Sequence, residues 1–138
     1  MNITANVINR HGSHKVHLKT GEREHSVSMP TQPDGFGSYA SGGELLLLAL
    51  ATCYCNDLYR EARKRGFVLD GIDVEVSGEF GGEGQPLSNI HYHATVTTQA
   101  PKEKIFDLMT YTDSIAEIHN TLRSSAEITL TKCDVHTA

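Results

Sequence analysis

The chain has 138 residues, of which 38% are apolar, and this size fits one globular domain with a core of ordinary extent. Its 12 basic side chains are scattered among 17 acidic ones, for a formal net charge of -5. This pattern argues against a nucleic-acid-binding surface and favours small molecules or proteins as partners.

Nothing in the hydropathy pattern predicts a membrane partner, because no stretch reaches the roughly 18 to 20 apolar residues that a membrane span needs. Residues 1–10 lack the apolar core of a signal peptide. The three cysteines are an odd number, which favours reduced thiols over a disulfide scaffold. We therefore expect a cytoplasmic protein.

Short alternating segments at residues 2–8, 15–19 and 25–29 predict three antiparallel strands joined by tight turns. A loop follows, since residues 30–43 contain two prolines and several glycines.

A long helix is predicted next, from about Ser41 to Gly66. Ser41 can cap its start, Glu44 complements the positive end of the helix dipole, and a cluster of arginines precedes the terminating glycine. Between residues 45 and 55 only Thr52 is plainly polar. A helix that is apolar on every side must be buried on every side, and this one carries the thiols of Cys53 and Cys55.

The rest of the chain predicts two strands at residues 72–78 and 90–97, a helix from Pro101 to about Leu122, and a closing strand at residues 127–133. The order βββ-α-ββ-α-β indicates an α+β fold with a mostly antiparallel sheet, in a single domain over residues 1–138. One sheet covers only one side of the apolar helix. We therefore expect a second copy of the chain to supply the missing wall, in a homodimer.

Three segments together resemble the OsmC/Ohr superfamily of thiol-dependent hydroperoxide reductases. They are Gly-Gly-Glu-Leu-Leu-Leu-Leu-Ala-Leu-Ala-Thr-Cys ending at Cys53, the Leu-Asp-Gly-Ile-Asp-Val-Glu-Val-Ser-Gly-Glu that starts at Leu69, and the Ile-His-Asn-Thr-Leu-Arg-Ser-Ser-Ala-Glu-Ile-Thr-Leu that starts at Ile118. The resemblance covers nearly the whole chain. It implies an intertwined dimer with the central helices between sheets and an active site at each interface.

Residue by residue, the resemblance places Cys53 at the peroxide-reactive thiol, which attacks the O–O bond and becomes a sulfenic acid. A buried cysteine that serves only as a small apolar residue is the alternative. Family members also use an arginine from the N-terminal strands, for which Arg10 and Arg23 are the two candidates.

This sequence departs from the family pattern at two places. Ala116 stands where a Cys-Pro-Val segment usually carries the second, resolving cysteine. Gly43 stands ten residues before Cys53, where the family has a glutamate, and Glu44 follows it. For Glu44 a helix-dipole role outweighs a catalytic one.

The spacing of other side chains predicts how they lie relative to the thiol. Asp57, four residues after Cys53, shares its helical face and is expected to disfavour the thiolate, unless it is a solvated or capping carboxylate. Cys55 points to another side of the helix and is expected to be core, while Cys133 is expected to be a surface or core thiol.

The histidines offer two further hypotheses. The pairs His91 with His93, and Cys133 with His136, have spacings that a metal could use, but no third ligand stands at a convincing interval, so we predict no metal and no cofactor. His119, three residues after Ala116, could face Cys53, and a Cys–His pair could also support acyl transfer. No oxyanion-hole residue is visible, which makes a hydrolase the third choice.

The sequence therefore predicts a thiol-dependent peroxidase that reduces an organic hydroperoxide through Cys53, with an external thiol as reductant. The predicted substrate pocket contains Leu50, Ala116 and His119. The alternative is a noncatalytic homologue that binds a small apolar ligand at the dimer interface.

Overall fold

The computed structural model describes residues 1–136. In it the chain forms two compact units. The first is Met1–Leu46 and the second begins at Leu47. The long helix starts in the first unit and continues through the second. The prediction of a single domain stays a prediction, and each unit is described by itself.

The first unit contains a three-stranded antiparallel sheet in the order β1-β2-β3. Its strands are β1 (Ile3–Arg10), β2 (Ser13–Thr20) and β3 (Arg23–Ser28). Both turns use a glycine with positive φ, Gly12 at 77° and Gly21 at 57°. Short turns of this kind join neighbouring strands, as the alternating pattern indicated.

Helix α1 spans Gly42–Lys64, and both of its ends are capped. At the start, the Ser41 backbone N–H donates to Glu44 Oε1 at 2.9 Å, and the Glu44 N–H donates to Ser41 Oγ at 3.1 Å. This reciprocal pair is a capping box. At the other end, Gly66 adopts a φ of 75°, and the Phe67 N–H bonds the Ala62 carbonyl at 2.9 Å, which is a Schellman motif.

The second unit packs two helices against a two-stranded antiparallel sheet. Its further elements are β4 (Leu69–Glu79), β5 (Ser88–Thr98), α2 (Lys102–Ile115) and α3 (Glu117–Arg123). Its core cluster unites side chains of α1, α2 and the start of β4, namely Tyr54, Leu58, Ala62, Leu69, Ile105 and Leu108. Fully burying one leucine side chain stabilises a fold by about 1.5 to 3 kcal/mol, so this cluster fixes the second half of α1.

The α+β prediction is confirmed, but three details differ from it. The strands form two separate sheets instead of one. The predicted second helix is divided at Ala116, whose ψ of 112° is extended, into α2 and α3. The predicted closing strand at residues 127–133 is wrong for the single chain, since this stretch is exposed and has no strand. Its alternating pattern favours a strand, but a strand forms only where a neighbour takes its hydrogen bonds.

The apolar run in the first half of α1 is only partly enclosed by its own chain. Leu50 and Tyr54 are buried, whereas Leu45 is 37% exposed and Leu48 is 58% exposed. A single chain therefore packs on only part of this run, which agrees with the expectation that its own sheet covers one side of the helix. The homodimer stays a prediction. Among the described residues, no helix combines the length and apolar character needed to cross a membrane.

Candidate functional site

Cys53 lies near the middle of α1, and its half-buried thiol faces two carboxylates. Its Sγ donates to Asp57 Oδ2 at 3.5 Å and to Glu117 Oε2 at 3.9 Å. Asp57 comes from the next turn of α1, as its spacing predicted, and Glu117 is the first residue of α3. The backbone N–H of Ile118 also bonds the sulfur. The break at Ala116 thus directs the start of α3 toward the thiol.

Arg60 holds this acidic cluster together. Its Nη1 lies 3.0 Å from Asp57 Oδ1 and 3.8 Å from Glu117 Oε1, and its Nε donates to Glu61 Oε2 at 2.9 Å. Lys64 adds a second ion pair to Glu61 at 3.0 Å. Asp57 is only 5% exposed, so this pairing offsets the cost of burying its carboxylate.

The surroundings of Cys53 favour its protonated form. Burial raises the pKa of the Cys53 thiol, the Ile118 N–H opposes this, and the negative charges of Asp57 and Glu117 raise it further. Burial and the charge of Glu117 also raise the pKa of Asp57, although Arg60 counteracts them. A neighbouring anion disfavours a thiolate, so the thiol and the carboxylate share a proton by hydrogen bonding.

The same cluster defines the candidate metal ligands in the described part of the chain. Three atoms lie within 4.8 Å of one another: the Sγ of Cys53 and one carboxylate oxygen each of Asp57 and Glu117. The guanidinium of Arg60 is already paired with both carboxylates, so this geometry does not require a metal cation. His91, whose spacing from His93 could suit a metal, lies with Nε2 3.0 Å from the Ser77 hydroxyl.

A second group of polar side chains comes from β5, α2 and α3. The Tyr92 hydroxyl donates to Asp113, and Arg123 Nη2 donates to the same carboxylate at 2.8 Å. Burial alone would raise the pKa of Asp113, but the hydrogen bonds from Tyr92 and Arg123 outweigh it and lower the pKa. Burial raises the pKa of Tyr54, whose ring lies edge-on to the Tyr92 ring with centroids 4.9 Å apart, to about 12.

Next to this network is a cavity of about 220 Å³, lined by Leu50, Ile90, Tyr92, His119, Leu122 and Arg123. His119 is 5% exposed, and its ring packs edge-on against Tyr92 with centroids 4.9 Å apart. The structure therefore places two of the three predicted pocket residues, Leu50 and His119, on one cavity. Ala116 is fully buried between α2 and α3 and is not among the cavity-lining residues.

The other predicted residues lie elsewhere. Arg10 ends β1 and Arg23 begins β3, both exposed on the first unit, whereas Cys53 belongs to the second. The Glu44 carboxylate caps α1, and the hydrogen bonds from Ser41 lower its pKa. Their catalytic roles stay predictions.

The other two cysteines are separate from the cluster around Cys53. Cys55 is half-buried and lines a different cavity beside Val74 on β4, while Cys133 is exposed. Neither forms a disulfide within the described residues.

Sequence reasoning missed Glu117, Arg60 and the Tyr92–Asp113 pair as parts of the site. The three-residue spacing of Asp57 and Arg60 was a visible signal for an ion pair on one helical face. Glu117 gave no such signal, because its approach to Cys53 depends on how α3 packs against α1.

A sequence profile described as OsmC-like protein matches residues 35–131 of the chain. The chain belongs to this family. The matched residues include Cys53, Asp57 and Glu117, as well as those that line the cavity with Leu50 and His119. A sequence search among curated proteins finds no match.

Solved structures show the same fold at low sequence identity. An OsmC-like protein from Mycoplasma pneumoniae is 19% identical, with a TM-score of 0.61, over 90% of this chain and 87% of that one. An organic hydroperoxide resistance protein OsmC from Legionella pneumophila is 18% identical, with a TM-score of 0.57, over 89% and 90%.

A third similar structure is an organic hydroperoxide resistance protein from Elizabethkingia anophelis. It is 18% identical, with a TM-score of 0.58, and the alignment covers 91% of this chain and 90% of that one. At these identities the structural similarity establishes the fold and leaves the chemistry to be argued from the residues.

Proposed function

We propose that the chain is a thiol-dependent peroxidase, which reduces organic hydroperoxides through Cys53 and uses an external thiol as reductant. Membership in the OsmC-like family supports this, as does the structural similarity to organic hydroperoxide resistance proteins from Legionella pneumophila and Elizabethkingia anophelis. The observation that carries the proposal is the hydrogen bond from the Cys53 thiol to the Asp57 carboxylate at 3.5 Å. It joins a nucleophile to a proton acceptor.

In the first step, the sulfur of Cys53 attacks the terminal oxygen of the hydroperoxide. The S–O bond forms as the O–O bond breaks, and the thiol proton passes to Asp57. The leaving alkoxide then takes up this proton, so that one thiol and one hydroperoxide give a sulfenic acid and an alcohol. Asp57 suits this role because burial and Glu117 raise its pKa, which makes its carboxylate a stronger base.

External thiols complete the cycle, because Ala116 occupies the position of a resolving cysteine. The sulfenic acid reacts with one thiol to give a mixed disulfide and water. A second thiol then releases a small disulfide and restores Cys53.

Further parts of the proposal concern the assembly and the remaining predicted residues. The protein is then a cytoplasmic homodimer. Arg10 and Arg23 stay the two candidates for an activating cation, and for Glu44 the helix-capping role outweighs a catalytic one. The exposed Leu48 supports the dimer, since apolar helix surface is stabilised by burial.

The test is peroxide consumption by the purified chain, with cumene hydroperoxide as oxidant and dithiothreitol as reductant. Cys53→Ser is expected to abolish turnover. Cys55→Ser is a matched control, since Cys55 is also half-buried on α1 but lies away from the carboxylates. Equal turnover by wild type and Cys53→Ser would show that Cys53 is not the peroxidatic residue.

A second candidate function is noncatalytic binding of a small apolar ligand. The raised pKa of Cys53 and the mostly apolar cavity lined by Leu50 and His119 favour this alternative. It predicts a chain with no peroxide turnover and with ligand affinity unaffected by Cys53→Ser.

A further inference from the structure

Helix α3 contacts the Cys53 sulfur, yet apolar burial does little to hold this helix in place. It has seven residues, and a helix of this length is not stable by itself. His119 is buried, but the two apolar side chains of α3 are partly in solvent, with Ile118 37% exposed and Leu122 39% exposed. The position of α3 therefore depends on its polar contacts.

Side chains of α3 bind the last carbonyls of α2. Arg123 Nη1 donates to the Asp113 carbonyl oxygen at 3.1 Å, and Asn120 Nδ2 donates to the Ser114 carbonyl oxygen at 3.1 Å. These carbonyls lie in the last turn of α2, where a helix supplies no donor of its own. The helix dipole also favours a cation at this end. Helix α3 thus caps α2 across the break at Ala116.

The carboxylate of Asp113 strengthens the same connection. Arg123 Nη2 donates to its Oδ1 at 2.8 Å, and Tyr92 on β5 donates to the same oxygen. A guanidinium has five N–H donors in one plane, so Arg123 also donates to the Asn120 amide oxygen at 3.1 Å. Strand β5 and helices α2 and α3 are thereby tied together at one carboxylate.

These contacts fix the direction of α3 relative to the thiol. Ala116 joins α3 to α2 at one end, and Arg123 ties the other end back to α2. Between these two points, Glu117 Oε2 lies 3.9 Å from the Cys53 sulfur, and the Ile118 N–H bonds the same sulfur. A rotation of α3 about Ala116 would move both groups away and open the sulfur to solvent.

We infer that Asp113 and Arg123 are positioning residues for Cys53, because their ion pair holds α3 against the thiol and so limits the access of reagents to it. Their importance for turnover rests on the proposed function. The access of small reagents to the sulfur, in contrast, is measured without any peroxide chemistry.

Release of α3 is also expected to change the ionisation of the thiol. Burial is the largest cause of the raised pKa of Cys53, and the charge of Glu117 adds to it, whereas the Ile118 N–H opposes both. All three weaken when α3 moves away, while Asp57 and Arg60 remain beside the thiol on α1. Since burial is the largest cause, the net change is a lower pKa.

The test is alkylation of the full chain by iodoacetamide, followed by mass spectrometry against pH, in Arg123→Met and Asp113→Asn. Both side chains are about half exposed, so their pair contributes as a surface ion pair does. Cys53 is therefore expected to react about twofold to fivefold faster than in wild type at pH 8, with its midpoint at lower pH. Cys55, also half-buried on α1, is the internal control whose rate stays unchanged.

Two further variants test whether the effect is specific to this ion pair. Arg123→Lys keeps the charge but loses the planar set of donors, and it is expected to recover part of the wild-type protection. Arg63→Met removes an exposed arginine from the last turn of α1 and is expected to leave both cysteines unchanged.

Three results would overturn the inference. Unchanged alkylation of Cys53 in both Arg123→Met and Asp113→Asn would show that the ion pair does not hold α3. Equal acceleration of Cys53 and Cys55 would show general loosening of the chain, and acceleration of Cys53 by Arg63→Met would show a nonspecific effect of charge.

Peroxide consumption by the same proteins distinguishes this inference from the peroxidase proposal. Faster alkylation of Cys53 in the variants, with no turnover by wild type, would refute the peroxidase proposal alone. Turnover by wild type, with unchanged alkylation in the variants, would refute only the positioning role.

Discussion

The thiol of Cys53 and the carboxylate of Asp57 lie one helical turn apart on α1, with Sγ 3.5 Å from Oδ2. Reactive cysteines usually have a cation or a helix N-terminus beside them, which stabilises the thiolate. Here an anion is the direct neighbour, and the nearby guanidinium of Arg60 bonds the carboxylates. The proposed peroxidase reaction therefore depends on proton transfer between thiol and carboxylate.

Asp57→Asn is expected to lower the pKa of Cys53, because it removes a negative charge that opposes the thiolate. Burial, the largest cause of the raised pKa, remains, so the shift is expected to be partial. Alkylation of Cys53 by iodoacetamide, followed by mass spectrometry against pH, measures the pKa. In wild type the midpoint is expected above the ordinary value of 9.0, and in the variant it moves down.

Asp107→Asn is the control for this measurement, since Asp107 is an exposed carboxylate on α2. An unchanged alkylation profile in Asp57→Asn would mean that the hydrogen bond does not affect the thiol.

The raised pKa of Cys53 also affects the free energy of unfolding. The protonated thiol contributes fully to this stability below about pH 9, and its contribution falls as the pH rises through the folded-state pKa.

The same Asp57→Asn variant is expected to react more slowly with cumene hydroperoxide at pH 7, although its thiolate fraction is larger. The reason is loss of the proton acceptor, and general base catalysis contributes about 10²-fold or more. Stopped-flow measurement of sulfenic acid formation gives the rate. A faster variant would identify the preformed thiolate as the reactive species and Asp57 as an inhibitory neighbour.

Oxidised Cys53 is expected to persist as a sulfenic acid when no external thiol is present, because the chain has Ala116 where the family resemblance implies the resolving cysteine. Mass spectrometry after one equivalent of hydroperoxide is expected to detect a trappable sulfenic acid, and excess peroxide is expected to carry it to sulfinic acid. A disulfide from Cys53 to Cys55 or Cys133 would instead reveal a relocated resolving thiol.

Ala116→Cys is expected to create an oxidisable pair with Cys53. Ala116 directly precedes Glu117 and Ile118, both of which contact the Cys53 sulfur. Peroxide treatment followed by thiol quantification measures the pair. Because Ala116 is fully buried, circular dichroism must first show that the variant folds. Two free thiols after oxidation of a folded variant would show that position 116 does not face Cys53.

The chain is expected to sediment as a dimer at low micromolar concentration. Leu48→Asp is expected to prevent dimer formation, because Leu48 is 58% exposed on the apolar stretch of α1 and a charge there opposes burial. Val68→Asp is a matched control, since Val68 is 74% exposed in the segment between α1 and β4. A folded, stable wild-type monomer would contradict the intertwined dimer.

Several features of this protein follow from the sequence by itself. Ser41, Glu44 and Gly66 determine the ends of α1 through local hydrogen bonds, and alternation determines five of the strands. The pairing of Cys53 with Asp57 was also predictable, because residues four apart lie on one side of any helix. These features depend on contacts between residues that are near one another in the chain.

Other features were decided only by the tertiary structure. The extended backbone of Ala116 begins α3 there and directs Glu117 toward Cys53, which no local pattern indicated. The alternating residues 127–133 lack a strand because pairing requires a neighbouring edge, which propensity cannot supply. Packing alone also determines whether a buried polar side chain has a hydrogen-bond partner. The burial of His119 beside Tyr92 leaves both of its ring nitrogens without one among the described residues.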